Sequence, residues 1–347
     1  VHLERPQAEA ILRGVATAVA GDGGLSPTQA RILGAVGTYI LGLDPVPGEV
    51  ESLEPLGPAQ LADALPDELL RRRAVHAMVA LEIIATPVDP AVTARVEAYA
   101  AALHVDEGML AVARDYARDA MDVAMGDLVR NSYIAGYAAR HDGELTLHET
   151  VPPAAGPGGG IVDPGLAATW NHLETCASGS TGRTVWDFYQ MRGFSIPGTP
   201  GAVSPLLAQH DWVHCLADYG TSATGEIEVF TFIASAIPDP RGFAYLVPIL
   251  GLFETGYQPE VPGVATANPG HLSAPDGPVR FADALRRGLA LELDVMGGVD
   301  WFAYADTPVD DVRHRLGVLP KGPDAVAAGS RSALDPKAMF VPGAPAS

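Results

Sequence analysis

Residues 8–27 read Ala8-Glu9-Ala10-Ile11-Leu12-Arg13-Gly14-Val15-Ala16-Thr17-Ala18-Val19-Ala20-Gly21-Asp22-Gly23-Gly24-Leu25-Ser26-Pro27. Small and branched apolar side chains recur at helical spacing as far as Ala20, and the glycine-rich acidic turn that follows cannot continue a helix. Ser26 then offers an N-cap hydroxyl and Pro27 a backbone preset for the first turn, so a second helix starts there. The same order returns downstream, with a helical pattern from Ala74 to Ala85, the turn Thr86-Pro87-Val88-Asp89-Pro90 and a helix from Ala91 to Leu103. A longer helical stretch from Glu107 to Ala139 ends near His141-Asp142-Gly143. Beyond it, amphipathic segments near Thr181–Arg192, Ser204–Tyr219, Gly225–Ser235 and Ala282–Asp294 keep the helical period, and strand patterns are few. The expected fold class is all-α, in two helical domains.

The run Pro152-Pro153-Ala154-Ala155-Gly156-Pro157-Gly158-Gly159-Gly160 can form neither helix nor sheet ladder and marks the domain boundary. The expected layout is a helical domain over 1–148, a Pro/Gly linker over 149–164, a second helical domain over 165–320 and a flexible tail over 321–347. The duplicated helix-turn-helix pattern of the first domain resembles the TerB-like fold of tellurite-resistance proteins, whose repeats carry an Ala-Asp-Gly-x-x-Ser type of turn. Here Gly21-Asp22-Gly23-Gly24-Leu25-Ser26 is similar to it. Asp22 is read as a helix-turn cap, with metal ligation the alternative that the resemblance implies.

The formal net charge of -20 divides about evenly between the two halves, and neither is basic. This balance argues against nucleic acid as a partner, because phosphate binding draws on clustered cations. Cys176 and Cys215 are too few for a disulfide framework, and the first residues lack a basic segment followed by an apolar one, so a cytoplasmic location is expected. The most apolar stretch, Phe230 to Phe253, is broken by Ile237-Pro238-Asp239-Pro240-Arg241-Gly242 and does not approach the roughly 20 residues of a membrane helix. Peripheral membrane contact stays open. The run from Phe243 to Phe253 is read chiefly as core, with a wall for a prenyl tail as the alternative.

The chemistry concentrates in Gln209-His210-Asp211-Trp212-Val213-His214-Cys215-Leu216-Ala217-Asp218-Tyr219-Gly220-Thr221-Ser222-Ala223-Thr224-Gly225-Glu226. On a helix, His210 and His214 stand one above the other, and Asp211 flanks them three residues before His214. Gly220 and Gly225 are expected to break the helix and let Glu226 return to the open side. Two imidazoles and two carboxylates suit one divalent ion, zinc first, with iron(II) or manganese accepting the same donors. Asp218 and Tyr219, one turn past His214, are candidates to orient an imidazole. Cys215 is read as a small buried hydrophobe with a reactive thiol as the alternative.

The pattern H-D-x-x-H, then eleven residues, then E, resembles the signature of the coenzyme Q biosynthesis protein 4 family. Gly179-Ser180-Thr181-Gly182-Arg183 with Phe188 upstream is similar to that family's approach segment. Arg287-Gly288, Val299-Asp300-Trp301 and Val312-Arg313-His314-Arg315-Leu316-Gly317-Val318 look like its closing helices, so the resemblance covers about residues 172–320. It implies a helical fold around one divalent ion held by His210, Asp211, His214 and Glu226, with Arg183 facing a substrate carboxylate; a surface or structural salt bridge is the alternative reading of Arg183. The implied activity is replacement of the ring carboxylate of a prenylated hydroxybenzoate by hydroxyl. The segment Thr175-Cys176-Ala177-Ser178-Gly179 lacks the Leu-Pro-Glu-Gly that often precedes the motif, and the first domain is not part of the usual member. A polyketide or other specialised metabolite, or a non-catalytic lipid-binding scaffold, are therefore the alternative readings. A hydrophobic or aromatic small molecule is the expected partner, within a homo-oligomer or a biosynthetic complex.

Overall fold

The computed structural model describes residues 3–43, 50–131, 162–203, 205–261 and 265–339. Helices α1 (Arg5–Val19) and α2 (Pro27–Tyr39) flank the acidic turn, which closes through paired backbone bonds between Gly21 and Gly24. Ser26 accepts from the Gln29 N–H while the Gln29 side chain accepts from the Ser26 N–H, so α2 begins on a reciprocal cap. The capping expected of Asp22 is thus supplied by Ser26. Helices α3 (Pro58–Ala64), α4 (Glu68–Ile83), α5 (Pro90–Ala102), α6 (Gly108–Ala117) and α7 (Met121–Arg130) complete this half. The single long helix expected from Glu107 is in fact two, because Asp119 takes a left-handed φ of 56° and ends the first. Its expected continuation through 132–139 lies outside the described residues, as does most of the linker, 149–161.

The second half holds α8 (Pro164–Asn171), α9 (Thr181–Arg192), α10 (Pro205–Ala217), α11 (Ala223–Ala236), α12 (Leu246–Leu250), α13 (Gly277–Leu289), α14 (Val309–Leu316) and α15 (Pro323–Ala327). The all-α expectation is met: among the described residues the only named strands are the antiparallel pair β1 (Glu260–Val261) and β2 (Ala265–Thr266). No described helix is long and apolar enough to cross a membrane.

Helix α11 is the axis of this half, buried over nearly its whole length and packed along α13. The two backbones meet at Gly288, where a Cβ would stand 2.0 Å from Ser235 Oγ and 2.4 Å from the Phe232 carbonyl oxygen. A buried ion pair at 2.6 Å between Glu228 of α11 and Arg280 of α13 ties them together. The other side of α13 packs on α2, and the Arg31 guanidinium and the Tyr39 hydroxyl donate to the Ser273 carbonyl and the Asp324 carboxylate at 2.6 Å each. One apolar core therefore runs through both halves.

Residues 321–339 of the expected flexible tail are described, and they are structured, while 340–347 lie outside the described residues. Ala325, Ala333 and Ala338 are buried, the Thr221 N–H donates to the Ala338 carbonyl at 2.6 Å, and Arg192 donates to the Ala333 carbonyl at 2.8 Å. Small side chains, which read as loop composition, are what this close packing requires: a Cβ on Gly220 would lie 2.2 Å from that of Ala338.

Candidate metal centre

Helix α10 carries His210, Asp211 and His214 on adjoining turns, and their donor atoms lie within 4.8 Å of one another in a buried group that can hold a metal ion. The helix stops at Ala217 because Asp218 turns left-handed, with φ 63°. The chain then reverses, and Ser222 caps α11 by accepting from the Gly225 N–H at 3.2 Å. Glu226 sits in the first turn of α11. Its carboxylate oxygens approach the Nε2 atoms of His214 at 3.4 Å and of His210 at 4.0 Å, while Asp211 approaches His210 Nε2 at 3.5 Å. The structure thus brings all four expected ligands together. The glycines act otherwise than expected: Asp218 ends the helix, while Gly225 lies inside α11 and lets its first turn close on the Gly220 carbonyl, 2.2 Å from where a Cβ would be.

Hydrogen bonds fix which nitrogen each imidazole offers. His214 Nδ1 is 3.0 Å from the Tyr219 carbonyl oxygen, which can only accept, so Nδ1 carries the proton. The Nε2 of neutral His214 then presents a lone pair. It is buried, has no hydrogen-bond partner among the described residues, and faces carboxylates. Lone pair against carboxylate is repulsive unless a cation, either a proton or a metal, lies between them. His210 repeats the arrangement through its Nδ1 and the Leu207 carbonyl. Burial alone would push His214 toward its neutral form, but Glu226 and Asp211 outweigh it and the pKa is raised. For Glu226 burial likewise acts upward, and His214, His210 and Arg192 together bring its pKa below the ordinary value. Both shifts answer the same demand for positive charge between the imidazole and the carboxylates, which a proton on Nε2 meets and which a metal ion would meet by displacing that proton. Aromatic rings brace both imidazoles, Phe188 against His214 and Phe230 against His210, with centroids 5.5 and 5.2 Å apart.

Two residues that the sequence reading did not single out complete the surroundings. Tyr189 of α9 is buried and its hydroxyl donates to Asp211 Oδ2 at 2.6 Å, leaving Oδ1 toward His210. Arg192, one turn on, donates to Thr221 Oγ1, the Phe188 carbonyl and the Ala333 carbonyl, and its guanidinium lies 3.7 Å from the Phe188 ring centroid. Its charge reaches Asp211 and Glu226 without contact. The apolar-polar spacing of Phe188-Tyr189-x-x-Arg192 is the only signal in the sequence, and it reads equally well as an ordinary amphipathic face.

The other expected residues are placed differently. Arg183 donates to Asp187 at 2.8 Å and to the Glu174 carbonyl at 3.0 Å on a half-exposed face, and none of its contacts reaches the centre. Asp218 accepts from the Ser332 hydroxyl and the Ala333 N–H at 2.7 and 3.1 Å, so its side chain secures the C-terminal segment and does not orient an imidazole. Tyr219 does orient His214, but through its carbonyl; its ring is buried beneath Arg287, 4.9 Å away. Cys176 and Cys215 are both free and buried, and burial pushes the Cys215 thiol well up, with Asp211 adding to it, which fits the small-hydrophobe reading.

The Tyr189 bond yields a prediction. Partners that orient a ligating carboxylate commonly contribute about 10- to 100-fold in metal affinity. Tyr189→Phe is expected to weaken zinc binding by that factor in competition with a chromophoric chelator. Unchanged affinity would make the hydroxyl a packing feature only.

Comparison with models of known protein families and with curated proteins finds no match for this chain.

Proposed function

We propose that this protein is a metal-dependent enzyme acting on a phenolic or quinone-like ring, of the kind the coenzyme Q biosynthesis protein 4 resemblance implies. The observation that carries the reading is the buried, unpartnered Nε2 of His214 set against carboxylates. His210, Asp211, His214 and Glu226 would hold one divalent ion, zinc in first place by donor type, with iron(II) or manganese accepted by the same set. Such an ion supplies Lewis acidity toward a ring oxygen or carboxylate and, if iron or manganese, access to redox chemistry.

The chain's own residues set the direction of approach. The His214 and Asp211 side chains are 0% and 5% exposed, whereas those of His210 and Glu226 retain 11% and 16%, which supports an approach over the latter pair. This asymmetry favours an open coordination position, as catalytic sites keep, over the closed one of a bracing site. Tyr189 and the Tyr219 carbonyl hold Asp211 and His214 in place, and Arg192 supplies positive potential beside the carboxylates.

The test loads the full chain separately with zinc, iron(II) and manganese and supplies a prenylated 4-hydroxybenzoate under air. The balanced reaction consumes one dioxygen and one water and releases carbon dioxide and hydrogen peroxide, so mass spectrometry is expected to show loss of carbon dioxide with gain of one oxygen for at least one metal, with peroxide formed in equal amount. Glu226→Gln, assayed at metal concentrations that restore full occupancy, is expected to lose turnover while keeping its fold. Unchanged substrate with all three metals would sink the assigned reaction, and a Glu226→Gln variant that lost only thermal stability would point to a structural ion.

A further inference from the structure

A cavity of about 700 Å3 lies where helices of both halves meet, and none of the four candidate ligands lines it. Its size falls within the range of small-molecule sites. The walls are chiefly aliphatic, with Leu12 and Val15 from α1, Leu33 and Val36 from α2, and Leu285 and Leu289 from α13. Flat rings are usually gripped by aromatic faces; walls of this kind suit a flexible chain, whose transfer from water is favourable without directional contacts.

The charged groups in the lining are not equivalent. Arg72 is balanced by Glu68 and Glu107 at 3.0 and 3.4 Å, Arg286 by Asp283 at 2.8 Å, and Asp239 by Arg241 at 2.7 Å. Arg73 of α4 makes no hydrogen bond or ion pair with any described residue; Glu292, which lines the same cavity, and Asp67 act on it without contact. A half-buried guanidinium without a partner is an unmet demand for a bidentate acceptor. Three residues along α4, His76 lines the same side and stacks on Phe243 with centroids 4.7 Å apart. Thr231 of α11 also lines the cavity, is buried, and has a hydroxyl with no hydrogen-bond partner among the described residues.

We propose that this cavity binds a single-chain amphipath, its aliphatic tail between α1, α2 and α13 and its anionic head, a carboxylate or a phosphate monoester, paired with Arg73. The site is separate from the metal centre and goes beyond the reaction proposed for it. The first half contributes both the head-group cation and much of the wall, which gives the fused helices a task of their own.

The experiment titrates the delipidated full chain with sodium oleate, oleyl phosphate and oleyl alcohol, each displacing a fluorescent fatty acid. At least one anion is expected to bind saturably with one molecule per chain and at least tenfold more tightly than the alcohol. Arg73→Met should weaken that anion by about 10- to 100-fold, the loss of a charge-assisted pair, and leave the alcohol unchanged. Ala77→Phe narrows the cavity and should weaken all three chains. Bound zinc should be unchanged in both variants, which separates this site from the metal centre. Whichever anion binds more tightly identifies the head. Absence of saturable binding, alcohol binding as tightly as the anions, or anion binding unaltered by Arg73→Met would each overturn the assignment.

Discussion

His214→Ala is expected to abolish stoichiometric binding of a divalent ion. His214 is the most deeply buried of the four candidate ligands, and its Nε2 is the donor with no alternative partner. Removing it leaves one imidazole and two carboxylates around a cavity, and the negative charges of Asp211 and Glu226 then repel each other with less compensation. In the native protein an ion that binds only the folded state stabilises it by about 4 kcal/mol at a free concentration a thousand times its Kd. Zinc should therefore raise the melting temperature of the native chain and leave that of His214→Ala where it was. Because the substitution also creates a void, the informative quantity is the zinc-dependent difference within each protein and not the melting point itself. Elemental analysis supplies the independent check. A variant that retained one ion per chain, or a native chain indifferent to zinc and to chelator, would remove the metal centre from consideration.

The second large effect lies away from the centre. Arg280→Met is expected to destabilise the protein by about 3–5 kcal/mol, because it strands the Glu228 carboxylate inside the α11 and α13 interface. Glu228 is 1% exposed and the guanidinium is its only ion-pair partner among the described residues, so its charge cannot be handed to water. The double variant Glu228→Leu, Arg280→Met should recover most of that loss, since an apolar pair of similar volume dispenses with the desolvation of both charges. Urea unfolding of the three proteins measures the difference. If the single and double variants are equally unstable, packing around Arg280 outweighs its charge.

What was readable from the sequence was local. Two imidazoles and a carboxylate within one helical turn follow from chain geometry alone, as do the Ser26 cap and the start of α2. Glu226 was within reach of the same reasoning because a single reversal separates it from His214. Tyr189 and Arg192 were not, since they arrive from a different helix and nothing in their own spacing distinguishes a buried hydroxyl that holds Asp211 from an ordinary amphipathic face. Asp218 departs from the expected role for a specific reason: a left-handed residue swings its side chain off the helical face on which the periodicity places it. Tyr219 shows the complementary failure, in which the right residue acts through its main chain, an atom that every residue type shares. The C-terminal segment is not legible from composition, because small residues serve tight packing as readily as loose loops.

The contacts of the C-terminal segment also bear on how the molecule assembles. The reversal between α10 and α11 is fastened to partners 114 to 117 positions away, and Arg192 to one 141 positions away. Closing such long loops is entropically slow compared with forming the helices themselves. The helices can form early, but the turn that sets His214 against Glu226 gains its final shape only when the segment around Ser332 to Ala338 has docked. Any ion held by these four residues would therefore depend on contacts far along the chain as well as on the two helices that carry them.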